Sequence, residues 1–84
     1  MAETEIGRVS DFFAKPVVAG VLLTAPLKVG DRLLFKGHTT KLEMTVVSMQ
    51  INNASVQEAR AGEAVGIKLT DRVRPGDVVY KVTA

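Results

Sequence analysis

A chain of 84 residues without cysteine holds neither a disulfide framework nor a thiolate metal site, so its stability rests on a packed apolar core. The hydrophobic share of 46% is ordinary for a globular chain, and this length gives a single domain over residues 1–84. A net charge of +2 is too mild to announce a polyanion partner, and the longest apolar stretch, Pro16–Leu23, is far too short to cross a bilayer. With no secretory apolar region behind the acidic opening Met1–Glu5, the expectation is a soluble cytoplasmic protein, complete as it stands and without a membrane partner.

Short apolar runs recur every eight to twelve residues between turn signals, the pattern of a small all-β barrel or sandwich. Ile6–Phe12 opens the series. Pro16 starts Val17–Leu23, a run apolar on both faces that reads as a central strand covered on both sides, with Gly20 marking a bend or close backbone approach. A loop ending at Gly30-Asp31 leads to the strand Arg32–Lys36, closed by Gly37-His38-Thr39-Thr40. Lys41–Ile51 reads as the longest strand. Its apolar positions change phase after Val46, which predicts a β-bulge near Val47-Ser48.

Asn52–Ser55 is turn-prone, and Val56–Ala59 reads as one helical turn with Ser55 as N-cap and Glu58 completing a capping box. Ala64–Leu69 and Asp77–Val82 supply the last strands. Gly30, Gly62 and Gly76 are expected to have positive φ. The expected core contains Val18, Leu22, Leu34, Val46, Met49, Val65, Ile67, Val78 and Tyr80. Phe12 and Phe13, being adjacent in a strand, should face opposite ways and leave one ring exposed. Together these runs give a closed six- or seven-stranded, mainly antiparallel barrel.

The residue types argue against catalysis. No phosphate-cradling glycine loop is present, and Ser10, Ser48 and Ser55 have no base in a recognisable triad order. Asp31, Asp71 and Asp77 sit beside turns, where a carboxylate satisfies local backbone donors. His38 is the single histidine, without a carboxylate cluster around it. It reads as a hydrogen-bonded turn residue or a phosphate contact rather than a metal ligand. No catalytic residue, metal or cofactor is assigned. Residues 15–41 are locally basic, with Lys15, Lys28, Arg32, Lys36 and Lys41 against Asp31 alone. Such a face is either a solvated surface or a place that concentrates phosphate partners.

Leu27–Asp31 with Gly37, Thr45-Val46 ahead of Met49, Ala59–Leu69 and Arg74–Val78 follow one another in an order that resembles the second, β-barrel domain of the translational GTPases, the elongation factor Tu type. That resemblance implies a Greek-key barrel of the translation-protein type. It departs at Ala14–Val21, where the elongation factors have an arginine-rich, glycine-rich opening. The runs Lys36–Thr40 and Thr45–Gln50 look like the small C-terminal barrel of the collagenase-like peptidase family, whose members are implicated in modifying ribosomal RNA as well as in proteolysis. Stand-alone elongation-factor-like barrels also occur, and the chain reads as one of these.

The elongation-factor resemblance further implies that Glu58 and Arg60 match a turn helping to form a pocket for the terminal adenosine of tRNA. Otherwise Glu58 caps its turn and Arg60 is a surface cation. The leading expectation is therefore a non-catalytic module contacting RNA or a ribonucleoprotein such as the ribosome. Its candidate contacts are Lys36, His38, Lys41, Glu58, Arg60, Arg72 and Arg74. The rival is a protein-interaction subunit, a detached accessory barrel docking onto a separate enzyme such as a collagenase-like peptidase. The two differ in salt dependence, steep for RNA and weak for apolar docking.

Overall fold

Three turns of one design set corners of the chain: Lys28-Val29-Gly30-Asp31, Arg60-Ala61-Gly62-Glu63 and Arg74-Pro75-Gly76-Asp77. In each, glycine holds the third position at φ 100°, 90° and 95° respectively, a region a side chain resists. The acidic residue that closes each turn accepts the N–H of the basic residue that opens it. The distances are 3.0 Å for Lys28 N to Asp31 Oδ2, 2.6 Å for Arg60 N to Glu63 Oε1 and 2.8 Å for Arg74 N to Asp77 Oδ2. The acid's own N–H donates back to the first carbonyl at 3.1, 3.2 and 3.1 Å. All three glycines expected at positive φ are found there.

The computed structural model describes residues 2–15 and 17–83. They form ten strands: β1 (Ala2–Ala14), β2 (Val17–Leu23), β3 (Leu27–Lys28), β4 (Arg32–Lys36), β5 (Lys41–Thr45), β6 (Met49–Ile51), β7 (Ala54–Val56), β8 (Glu58–Ala59), β9 (Ala64–Lys68) and β10 (Val78–Thr83). Eight of them make one sheet in the order β5-β4-β10-β1-β2-β9-β6-β7, and β3 pairs with β8 separately. Every pairing is antiparallel. Beyond the ladders, Val29 N–H bonds to Gln57 O, Gly30 N–H to Val46 O and Val46 N–H to Asp31 O, each at 2.9 Å. These bonds tie the segment after β3 to the segments leaving β5 and β7, the two end strands of the sheet. No described helix is long and apolar enough to cross a membrane.

One apolar cluster fills the inner face, with Ile6, Val21, Leu33, Phe35, Met49, Ile67 and Val79 almost fully buried. The long strand β1 reaches its neighbours through two irregularities. Its pairing with β10 slips between Glu5 and Gly7, and its pairing with β2 slips between Val9 and Asp11. An extra residue at each slip shifts the side-chain phase, which is how a strand of this length stays wrapped on a curved sheet. At the second slip the Ser10 hydroxyl donates to Gly20 O at 3.2 Å. The close approach at Gly20 is to side chains rather than backbone, since a Cβ there would lie 3.3 Å from Asp11 Cβ and 3.4 Å from Ser10 Oγ.

Several expectations need correction. Lys41–Ile51 is not one strand: it divides into β5 and β6, which pair with β4 and β9 respectively. The phase change at Val47 is therefore a change of ladder rather than a bulge, with Val46 buried and Val47 67% exposed. No helical turn forms at 56–59. Asn52 and Asn53, at φ 51° and 64°, make a tight turn between β6 and β7, a conformation Asn tolerates, and Glu58 lies in β8 opposite Lys28.

β2 is interior in the sheet but covered on one face only, so Ala19, Val21 and Leu23 are buried while Leu22 is 50% exposed and Val18 half-buried. In β10 the core takes Val79, leaving Val78 and Tyr80 half-buried. Lys81, in phase with Val79, ends at the rim, its Nζ 3.4 Å from Asp31 Oδ2. Val46, Met49, Val65 and Ile67 are core residues as expected, and Leu34 is buried as expected but lies outside the inner cluster, opposite Tyr80.

Candidate functional site

Three surface features come from this framework. The first is a basic end. Lys36 and Lys41 face each other directly across the β4–β5 ladder, on either side of the loop that carries His38. Like charges placed directly opposite one another are unfavourable in a sheet. The Glu3 carboxylate relieves Lys36, with Oε1 at 2.8 Å from Nζ, and the ammonium sits 5.3 Å from the centre of the Tyr80 ring. The hydrogen bond to Glu3, with the negative charge nearby, raises the Lys36 pKa above its ordinary value.

Lys41 has no ion-pair partner among the described residues. With Thr39, Thr40, Arg72 and Arg74 it lines a hollow of about 240 Å³ beside a second one of about 400 Å³ around Lys36 and His38. Arg72 and Arg74 are likewise without carboxylate partners among the described residues. The nearby Asp71 Oδ1 accepts the Arg72 N–H at 2.7 Å.

A buried carboxylate holds this end together. Asp77 is 6% exposed, and its Oδ2 accepts the Arg74 N–H at 2.8 Å. Its carboxylate packs on the bare α-carbon of Gly37, where a Cβ would overlap it. The 37–40 loop and the 71–77 loop are thereby seated against one another. Gly37 N–H bonds to Thr40 O at 2.9 Å and Val9 N–H to Asp77 O at 2.8 Å.

The structure thus brings together five of the seven candidate residues, Lys36, His38, Lys41, Arg72 and Arg74. Glu58 and Arg60 lie elsewhere. Glu58 borders the second feature, a hollow shared with Lys28, Asp31 and Lys81 at the Arg32 end of β4. A five-residue strand separates that end from Lys36 by roughly 13 Å. The helical turn that Glu58 was expected to cap does not form, and the carboxylate that satisfies the 60–63 turn belongs to Glu63. Arg60 is exposed beside that turn.

The third feature lies on the outer face of β1, β2, β9 and β6. Gly20 pairs with Gly66 across β2–β9, and Gly66 with Gln50 across β9–β6. With no side chain at Gly66 the sheet surface sinks into a groove of about 540 Å³, walled by Phe13, Lys15, Val18, Gln50 and the Asn52-Asn53 turn. Phe13 is 55% exposed, while Phe12, on the opposite face, packs against the core, as their adjacency requires. Sequence reasoning missed this groove. Its signal was the outward phase of Val18, Gly20 and Leu22, which becomes visible once β2 is known to be covered on one side. No group of three or more His, Cys, Asp or Glu side chains capable of holding a metal occurs among the described residues.

No protein-family model matches the chain. It is 51% identical over 77 residues, 90% of its length, to an uncharacterised protease of Methanocaldococcus jannaschii, and spans 19% of that protein. Its fold superimposes with a TM-score of 0.88 on the C-terminal domain of a protein of Geobacillus thermoleovorans described as a U32 peptidase. The match covers 95% of this chain and 93% of that one at 17% identity. The selenomethionine form of the same domain gives a TM-score of 0.84 over 89% and 95% of the two chains, also at 17% identity.

Proposed function

We propose that the chain is a non-catalytic accessory β-barrel of the kind carried by U32 peptidases, whose work is to dock onto a peptidase body. The observation that carries this reading is the 51% identity spread over 90% of the chain but only a fifth of a larger protease. The fold shared with a peptidase's C-terminal domain supports it. In this reading the sheet closes into a barrel through the bonds at residues 29–31, 46 and 57. The outer face, with Phe13 walling its groove and Leu22 exposed beside it opposite Ala64, is the surface that meets the catalytic body. Burying such side chains is worth roughly 25 cal/mol per Å² of apolar area removed from water.

The basic end favours a second reading, contact with RNA or a ribonucleoprotein through Lys36, His38, Lys41, Arg72 and Arg74. Affinity capture from the native cell, with and without ribonuclease, separates the two. A peptidase retained after ribonuclease treatment supports docking. Ribosomal proteins lost on treatment support RNA contact.

A further inference from the structure

The open edge of β5 lies at the basic end, and the two features address one kind of ligand. Val46 directs both its N–H and its C=O to the 30–31 turn. Antiparallel pairing alternates along a strand, so Met44 and Leu42 likewise direct their backbone groups to β4. Lys41, Glu43 and Thr45 therefore turn their N–H and C=O groups to the other side. β5 ends the sheet there, and among the described residues no loop backbone bonds to 41–45. Beside this row of free donors and acceptors stand Lys41, Arg72 and Arg74, three cations without ion-pair partners among the described residues, with the Thr39 and Thr40 hydroxyls and one carboxylate, Asp71, whose Oδ1 is taken up by the Arg72 N–H. In the Lys36–Lys41 pairing Glu3 already answers Lys36, and an incoming anion would answer Lys41.

We infer that β5 accepts an extended acidic segment of a partner protein as an added strand, its carboxylates falling on Lys41, Arg72 and Arg74. Main-chain bonds at the edge supply affinity, and the cations select the sequence that pairs. The same cations repel a second copy of the chain from this edge. A polynucleotide fits less well. No aromatic ring lines the hollow to stack a base, and a phosphate backbone does not match the alternating donors and acceptors of a strand edge. The inference stands apart from the peptidase reading, because its test requires only this chain.

The test titrates the chain at low salt with a short peptide alternating Glu and Val, read by calorimetry and by amide chemical shifts. Parallel arms use the Lys–Val analogue, the Glu–Val peptide N-methylated at alternate residues, and a single-stranded RNA oligonucleotide. The expected result is binding of the Glu–Val peptide alone, with shifts centred on Lys41, Glu43 and Thr45. Affinity should fall roughly tenfold or more in the Arg72→Glu/Arg74→Glu variant. An unchanged thermal midpoint in that variant confirms that the loss is not unfolding, and the modified peptide provides the same control without altering the protein. Absence of Glu–Val binding, binding indifferent to N-methylation or to the double substitution, or tighter binding of the RNA would each overturn the inference.

Discussion

Replacing Gly37 by alanine places a methyl group where the Asp77 carboxylate now lies. Because Asp77 is 6% exposed and seated by its bond to the Arg74 N–H, it cannot turn away without losing that bond. A hydrogen bond to a charged group contributes about 1.5–3 kcal/mol. Gly37 does not have positive φ, so alanine returns about 0.4–1 kcal/mol by restricting the unfolded chain. The net cost is about 1–2 kcal/mol, or a fall of roughly 5–15 °C in the thermal midpoint for a domain of this size. Urea and thermal unfolding of Gly37→Ala, Asp77→Ala and the double variant form the assay. With the carboxylate removed there is nothing to overlap, so Gly37→Ala should be neutral or slightly stabilising in the Asp77→Ala background. Additive costs in the double variant, or no cost in the single one, would refute the packing of Gly37 on Asp77.

Other substitutions follow from burial and backbone geometry. Ile67→Ala, at a fully buried position, should cost roughly 2–4 kcal/mol in urea unfolding, enough to unfold much of so small a domain. Val79→Ala should cost more than Val78→Ala, reversing the order expected from the sequence alone, and thermal midpoints of the two variants read the difference. Alanine at Gly30, Gly62 or Gly76 should each cost about 1 kcal/mol in the same assay. Gly66→Ala, whose Cβ would meet nothing nearer than Val18 Cγ1 at 3.4 Å, should be tolerated.

The Lys36–Glu3 pair makes a pH-dependent prediction. Because Glu3 raises the folded pKa of Lys36 above 10.5, the pair's contribution is complete below that value and is lost as pH rises through the folded value. Glu3→Gln should therefore be less stable than the parent chain near neutral pH, and the gap should close in strong alkali.

Turn chemistry was the most legible level of the sequence. Lys28–Asp31, Arg60–Glu63 and Arg74–Asp77 advertise themselves by glycine and a closing acid, because a local backbone demand has a local residue answer. Strand phase was legible only where one face is strictly apolar, as at Val65 and Ile67. In β10 three apolar residues, Val78, Tyr80 and Val82, share the outward face, and the inward face carries Val79 and then Lys81, because the core ends at a wet rim where Lys81 meets Asp31. Periodicity cannot tell these faces apart.

The division of Lys41–Ile51 was invisible for a different reason. The choice between one ladder and two is made by β4 and β9, remote in sequence. Of the five candidate residues that converge, His38, Arg72 and Arg74 were readable as loop residues and Lys36 and Lys41 as strand ends. Their convergence depends on Gly37 and Asp77 meeting across forty residues. Glu58 and Arg60 were carried by resemblance alone, and the strands place them elsewhere.

Docking onto a peptidase body is the role proposed for this all-β domain. It is tested most directly by measuring binding of the isolated chain to the Methanocaldococcus jannaschii relative from which the matching fifth has been deleted. The expected result is a saturable one-to-one complex that is weakly dependent on salt and is lost in a Phe13→Asp/Leu22→Asp variant that still folds. No complex with the truncated protease, alongside RNA binding that falls steeply with salt, would contradict it.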